Sequence, residues 1–192
     1  LVNRALSRLG LQQYELAVAD LTQAINWEKP DGRLYLMRAR VFDLAGNPSA
    51  ARSDRERGMQ LSPTSEAGWI ACGVVRMAED PHAALEDFDR ALLLNPCSVE
   101  ALANKAHLLA EKLVKTSDGI ALLDQAILCA PEDARNRASR GVLLARLGQR
   151  DKALQDAEEA LKLDSSAGIA YQTAGIYALL SAQEPGLEER AL

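Results

Sequence analysis

Residues 134–163 read ARNRASRGVLLARLGQRDKALQDAEEALKL. Residues that favour helix fill both sides of the turn Gly148-Gln149-Arg150. We expect one helix over Ala134 to Leu147 and a second from about Asp151 to Leu163. This stretch therefore predicts a pair of helices joined by a short turn.

Prolines that follow apolar runs repeat the pattern along the chain. Pro30, Pro63, Pro96 and Pro131 are separated by 33, 33 and 35 residues, and the next step of 34 reaches Ser165. A proline ends the second helix because it cannot continue the hydrogen-bond ladder, and an Asp or Ser after it can cap the next helix. A fixed step near 34 residues predicts a stack of helical repeats.

Small residues keep the same step and predict how the helices pack. Those seven residues apart lie on one face of a second helix, so a neighbouring helix can approach closely. The second-helix pairs are Ala17 and Ala24, Ala51 and Gly58, Ala84 and Ala91, Gly119 and Ala126, and Ala153 and Ala160. The first-helix series is Ala39, Gly73, Ala106, Gly141 and Gly175.

These motifs resemble the tetratricopeptide repeat family across essentially the whole chain. The third copy matches best, with Trp69, Cys72-Gly73, Phe88 and Pro96 at motif positions. The resemblance implies an all-α, right-handed α-α superhelix (a solenoid) of about 11 helices. We expect one solenoid domain, a segment of a larger protein, with four complete repeats between two partial ones. Their ranges are 1–30 (partial), 31–64, 65–97, 98–131, 132–165 and 166–192 (partial).

Several positions depart from the family motif. Arg38, Lys105 and Arg140 replace a leucine, and the first turn, before Tyr14, reads as two residues longer than the others. A last second helix is expected to begin near Leu187, without a polar capping helix after it. Uncapped ends suggest self-association as one possibility.

Composition and charge narrow the function classes. The 192 residues carry a formal net charge of -5, which disfavours a nucleic-acid partner. No apolar run reaches the roughly 20 residues of a membrane helix, and no signal peptide is visible, so a cytoplasmic protein without membrane insertion is expected. The spacing of Cys72, Cys97 and Cys129 suggests no disulfide framework and no metal site, but three buried or half-buried thiols.

No catalytic motif is present, so no enzyme activity and no cofactor are expected of these residues. His82 is predicted to face solvent, and His107 to face the groove or simply solvent. Carboxylates cluster on the second helices and are interpreted as a solvated convex face. These are Glu86, Asp87, Asp89, Asp156, Glu158 and Glu159.

In this family ligands lie in a concave groove lined by the first helices. The resemblance assigns to that groove Arg4, Arg8, Arg33, Met37, Arg40, Ile70, Val74, Met77, Asn104, His107, Arg135 and Arg146. Carrying the stripe further adds Ser7, Leu36, Asp43, Ala71, Glu100, Glu111, Ser139, Val142, Gln172, Thr173 and Ile176.

The stripe is rich in arginine at its N-terminal end and apolar in its middle. We therefore expect a protein or peptide ligand, with acidic residues toward the N-terminal copies and an apolar anchor near Met77. The alternative is that the arginines are solvated or pair with carboxylates of neighbouring helices. The Lys-Asn clamp by which some family members hold chaperone tails is missing, because Leu36, Arg40, Ile70 and Val74 occupy its positions.

The leading interpretation is a protein-protein interaction module, a scaffold or adaptor. A second interpretation is a regulatory or substrate-docking segment of a larger bacterial enzyme such as a Ser/Thr protein kinase. The phrases Asn104-Lys105-Ala106-His107 and Arg146-Leu147-Gly148 resemble repeats attached to such kinases.

Overall fold

The computed structural model describes residues 1–27 and 32–183. Within these ranges the chain is all-α, with eleven helices and no strand, as the sequence predicted. Pro30 and the helix expected near Leu187 lie outside the described residues. The helices are α1 Val2–Gly10, α2 Tyr14–Trp27, α3 Gly32–Leu44, α4 Pro48–Gln60, α5 Glu66–Arg76, α6 Pro81–Leu94, α7 Val99–Glu111, α8 Thr116–Cys129, α9 Ala134–Arg146, α10 Arg150–Leu163 and α11 Ala167–Ala182.

The chain divides into two compact units, Leu1–Pro96 and Cys97–Leu192. The first unit contains three helical hairpins, α1–α2, α3–α4 and α5–α6. The second contains the hairpins α7–α8 and α9–α10, followed by α11, which packs against α9 and α10. The single-domain organisation stays a prediction.

Three of the first helices, α5, α7 and α9, begin with the predicted capping chemistry. The Ser65 hydroxyl accepts a hydrogen bond from the Gly68 N–H, and the Ser98 hydroxyl accepts one from the Ala101 N–H. The Asp133 carboxylate accepts from the Arg135 N–H. Each cap satisfies one of the backbone donors that a helix leaves open at its first turn.

The small residues form the interior of every described hairpin. Ala17, Ala51, Ala84 and Ala153 are completely buried. A Cβ added at Gly58 would lie 2.8 Å from the carbonyl oxygen of Gly32, so α3 and α4 approach backbone to backbone. The predicted close packing through small residues is confirmed.

The turns inside four hairpins share one backbone feature. Gln12, Gly46, Val114 and Gly148 fall at repeat-related positions and have φ angles of 57°, 74°, 54° and 69°. The first turn spans residues 11–13, the same length as residues 45–47 and 147–149. The expectation of two extra residues there was wrong, because Gln12 takes the left-handed conformation that Gly46 and Gly148 take in two other turns and closes a turn of the same length.

Among these four residues, Val114 is the least suited to a positive φ angle. A β-branched side chain in the left-handed region costs about 1–2 kcal/mol, and Val114 is 85% exposed, so little packing compensates. Replacing Val114 with Gly should stabilise the protein by up to about 1 kcal/mol, a rise of roughly 2–4 °C in Tm.

Gly148→Ala provides the matched control, because it places a Cβ on the same left-handed turn. It should destabilise the protein by about 1 kcal/mol. Calorimetry of both variants measures the two shifts. Shifts of the same sign would contradict the assignment of strain to residue 114.

Candidate functional site

Three first-helix arginines are held by buried aspartates of their own hairpins. Arg38 donates through Nε and Nη2 to the two carboxylate oxygens of Asp54, at 2.7 and 2.8 Å. Arg140 makes the same bidentate pair with Asp156, at 2.8 and 2.6 Å. Arg4 repeats it with Asp20, at 2.9 and 2.6 Å. Because the fork of an arginine matches both carboxylate oxygens, each pair fixes how its two helices face each other.

These ion pairs change the acid–base properties of their members. The hydrogen bonds from Arg4 hold the pKa of Asp20 below its ordinary value, although burial opposes them. The hydrogen bonds to Asp156 raise the pKa of Arg140. At neutral pH Arg4 and Asp20 are therefore both charged and satisfy each other's hydrogen-bonding groups.

The buried aspartates correct the prediction of a solvated carboxylate face. Asp87 and Asp156 are 0% and 2% exposed and lie inside their hairpins. Arg76 donates to Asp87 Oδ2 at 2.6 Å, but Asp87 Oδ1 has no partner among the described residues. Burial therefore raises the pKa of Asp87 despite that arginine. Glu86, Asp89 and Glu158 are exposed or half-exposed, in keeping with the prediction for them.

A signal for this pairing was present in the sequence. An arginine directly before the small first-helix residue recurs with an aspartate three positions after the small second-helix residue. The two lie 16 residues apart in each of three copies. Arg38 and Arg140, which looked like departures from the family motif, are the anchors of their hairpins.

Four of the six arginines assigned to the groove take part in ion pairs within their own unit. Arg8 lies 2.7 Å from Asp20, which also binds Arg4. Arg135 pairs with Asp133, the capping residue of its helix, and Arg146 pairs with Glu111. The alternative that these arginines pair with carboxylates of neighbouring helices describes Arg4, Arg8 and Arg146, whereas Arg135 pairs at the start of its own helix.

Several apolar groove candidates lie inside the protein instead. Ile70 and Leu36 are buried, and so are Thr173 and Ile176. Met37 is half-buried against the core around Leu21 and Val41. Neighbouring helices cover these faces, so assigning the buried positions to the open groove was wrong.

The first helices of the second unit do form a cleft. Its volume is about 180 Å³, and α7, α9 and α11 supply most of the lining. Five of the residues placed on the stripe meet there, together with the core residue Leu123 of α8. The lining residues are Ala103, His107, Ala110, Glu111, Leu123, Ser139, Val142, Leu143 and Gln172. Asn104, on α7, is half-buried.

A larger cavity of about 820 Å³ lies in the first unit, between α3, α4 and α5. Arg40 and Val74, both exposed, line it, as does the Arg55–Asp43 ion pair of 2.5 Å. Arg33 and Met77 are half-buried. The cavity wall carries both signs of charge, because Glu56 and Glu79 belong to it as well.

Cys97 and Cys129 form a disulfide, with Cα atoms 5.6 Å apart. The prediction of three thiols was therefore wrong for this pair and right for Cys72, which is buried. The two cysteines are 32 residues apart in the sequence, about one repeat length, but they lie at the two ends of the α7–α8 hairpin, which the fold brings together.

Two kinds of feature are absent from the described part of the chain. No group of three or more His, Cys, Asp or Glu residues is arranged there to hold a metal ion. Across residues 1–27 and 32–183, no helix has the length and apolar character to cross a membrane.

Comparisons with known proteins match parts of this chain to a repeat family and to one curated relative. Residues 134–166 match the family model described as tetratricopeptide repeat. A 93-residue stretch is 30% identical to the bovine (Bos taurus) protein SGT1 homolog; it covers 48% of this chain and only 28% of that protein. The matched region is therefore just over a quarter of its relative's length.

Solved structures of similar fold are repeat proteins too. TTC0263, a thermophilic tetratricopeptide repeat protein of Thermus thermophilus, has a TM-score of 0.72 at 18% identity, covering 92% of this chain and 97% of that one. YrrB, described as a repeat protein with an unusual peptide-binding site, has a TM-score of 0.59 at 20% identity, covering 90% of this chain and 89% of that one. These likenesses show the fold, an all-α stack of helical repeats, as the sequence predicted.

The arginine with two carboxylate partners allows a direct test of the buried ion pair. Arg140 binds buried Asp156 and also Asp124, whose side chain is 53% exposed, at 2.7 Å. Asp156→Asn should destabilise the protein by about 2 kcal/mol, because a half-buried guanidinium loses its buried counter-charge. Asp124→Asn removes a solvent-screened partner of the same arginine and should cost less than about 1 kcal/mol. Urea unfolding measures both, and equal costs would refute the special role of the buried carboxylate.

Proposed function

We propose that this chain, an array of tetratricopeptide repeats, is an interaction module that binds a peptide or protein segment along its first helices. Tetratricopeptide repeat proteins are protein-interaction scaffolds. The observation that carries the proposal is the cleft between α7, α9 and α11, which unites His107, Glu111, Ser139, Val142 and Gln172. A scaffold or adaptor role follows from binding without catalysis.

The chemistry of the cleft suits a peptide. The His107 imidazole, the Ser139 hydroxyl and the Gln172 amide offer donors and acceptors to a peptide backbone. Ala110 and Val142 provide apolar surface between them. A volume of about 180 Å³ is smaller than the roughly 300–1,000 Å³ of typical small-molecule sites, which favours one anchoring side chain over a cofactor.

The acidic character of the ligand is a separate part of the proposal. It depends chiefly on Arg40 of the first unit, because Arg4, Arg8, Arg135 and Arg146 are engaged by carboxylates of their own units. Arg40 supports it, since this exposed arginine lines the cavity of about 820 Å³. Arg33 lies seven residues earlier, two turns along the same face of α3.

Association between copies of this chain is proposed only as a secondary property. Its support is α11, where Tyr171 is exposed and Tyr177 is partly so. A role within a larger kinase and a cytoplasmic location stay predictions.

The two histidines of the chain provide a matched pair of variants for the peptide-binding proposal. Both are exposed, but His107 lines the cleft of the second unit whereas His82 lies in the first turn of α6. A peptide selected on a cellulose-bound peptide array, labelled and measured by fluorescence polarisation, serves as the probe. His107→Glu should weaken its binding at least about tenfold, a loss near 1.4 kcal/mol.

His82→Glu should leave the affinity of that peptide unchanged. If the array yields no binder, or if the two variants behave alike, the cleft is not the binding site.

A second experiment tests the acidic ligand. The variant carrying Arg33→Glu and Arg40→Glu should abolish binding of a labelled peptide rich in Glu and Asp, because each arginine would be replaced by a repelling charge. Lys162→Glu, an exposed reversal at the end of α10, is the charge control and should have little effect. Undiminished affinity of the double variant would rule out an acidic ligand at α3 while leaving the cleft of the second unit untested by this experiment.

A further inference from the structure

The α7–α8 hairpin lacks the buried carboxylate that the other described hairpins share. Asp20, Asp54, Asp87 and Asp156 each follow the small second-helix residue by three positions and are buried. In α8, whose residues are all described, Leu122 stands at that position after Gly119. An arginine–aspartate pair of the kind that joins the other hairpins therefore cannot form here.

The same hairpin carries the disulfide. Cys97 directly precedes Ser98, which caps the start of α7, and Cys129 is the last residue of α8. The bond therefore closes the end of the hairpin opposite its turn at residues 112–115. Elsewhere in the hairpin the helices meet through close packing, as where a Cβ on Gly119 would lie 3.0 Å from the Ala106 carbonyl oxygen.

We propose that Cys97–Cys129 is a reversible thiol–disulfide site that replaces the buried ion pair as the covalent clasp of the α7–α8 hairpin. Its accessibility supports reversibility, because Cys97 is exposed and Cys129 is half-exposed. The third cysteine, Cys72, is buried and serves as a natural reference. The co-reactant is a small dithiol or thiol reductant.

The reaction is ordinary thiol–disulfide exchange. A thiolate of the reductant attacks Sγ of Cys97, the more exposed of the two residues, and the S–S bond breaks as Cys129 leaves as a thiolate and takes up a proton. The second thiolate of the reductant attacks the mixed disulfide and releases Cys97. The protein gains two electrons and two protons, and the reductant becomes a disulfide.

Reducing the disulfide would affect α7, one of the helices that line the cleft. α7 carries His107 and Glu111, two of the cleft residues, so a loosened hairpin would disturb one wall of that site. This consequence rests on the proposed function. The clasp itself does not, since its stability and exchange behaviour are measured without any ligand.

The test compares the full chain after oxidation by oxidised glutathione with the same chain after reduction by dithiothreitol. Alkylation followed by mass spectrometry verifies each state. Closing a loop of 32 residues restricts the unfolded chain, so reduction should lower Tm by about 10 °C. Amide exchange should rise on the order of 100-fold within α7 and α8, and far less in α9 and α10, which serve as the internal reference.

Two variants assign the effect to the pair. The chain with Cys97→Ser and Cys129→Ser should behave like reduced protein under both conditions, whereas Cys72→Ala should keep the full difference. The proposal is overturned if oxidised glutathione never forms the bond. It is equally overturned if verified reduction changes neither Tm nor exchange. The wild-type comparison decides even if the double variant does not fold.

Discussion

A buried aspartate paired with an arginine 16 residues earlier is the constraint on which three of the described hairpins depend. Asp54 and Asp156 lie on second helices, out of contact with solvent, and each accepts two hydrogen bonds from an arginine 16 residues earlier. A carboxylate in such a place is costly unless it is paired in good geometry, so a slip of either helix along the other is penalised. The small residues allow the helices to approach, and the ion pair determines where they stop.

The same arginines also reach the preceding hairpin. Arg38 donates to Thr22 at 2.8 Å, and Arg140 binds Asp124 at 2.7 Å, each partner lying 16 residues before its arginine. One guanidinium thus contacts two second helices, that of its own repeat and that of the repeat before it. In a protein whose repeats contact chiefly their neighbours, such a link couples adjacent repeats.

The fold could be predicted because its cause is periodic. Small residues, prolines and capping residues recur in one step, and each acts locally. Ion pairing could not be recognised as easily, because an arginine on a first helix has the same sequence signature whether it faces a ligand or an aspartate. Arg4 was therefore assigned to the groove and Arg140 was treated as a departure from the motif, although each donates to the buried aspartate of its own hairpin.

The exposure of the first-helix positions followed the sequence pattern only in part, for a related reason. Arg40, Val74 and His107, each one residue after the small residue, are exposed as expected, but Ile176 at the equivalent position is buried. Leu36 and Ile70, each three residues before the small residue, are buried because neighbouring helices cover that side of the first helix. The disulfide was missed because 32 residues look distant in sequence, whereas a hairpin returns the chain to the end at which it started.

The buried ion pair and the disulfide respond to different conditions. The lowered pKa of Asp20 means that its pair stabilises the fold above the ordinary carboxyl pKa near 4, and that this stability is lost as the pH falls through the folded value. The Cys97–Cys129 bond does not depend on carboxyl titration, but it is broken by reduction. Having a disulfide in place of the ion pair therefore makes the stability of the α7–α8 hairpin depend on redox conditions rather than on the protonation of a buried aspartate.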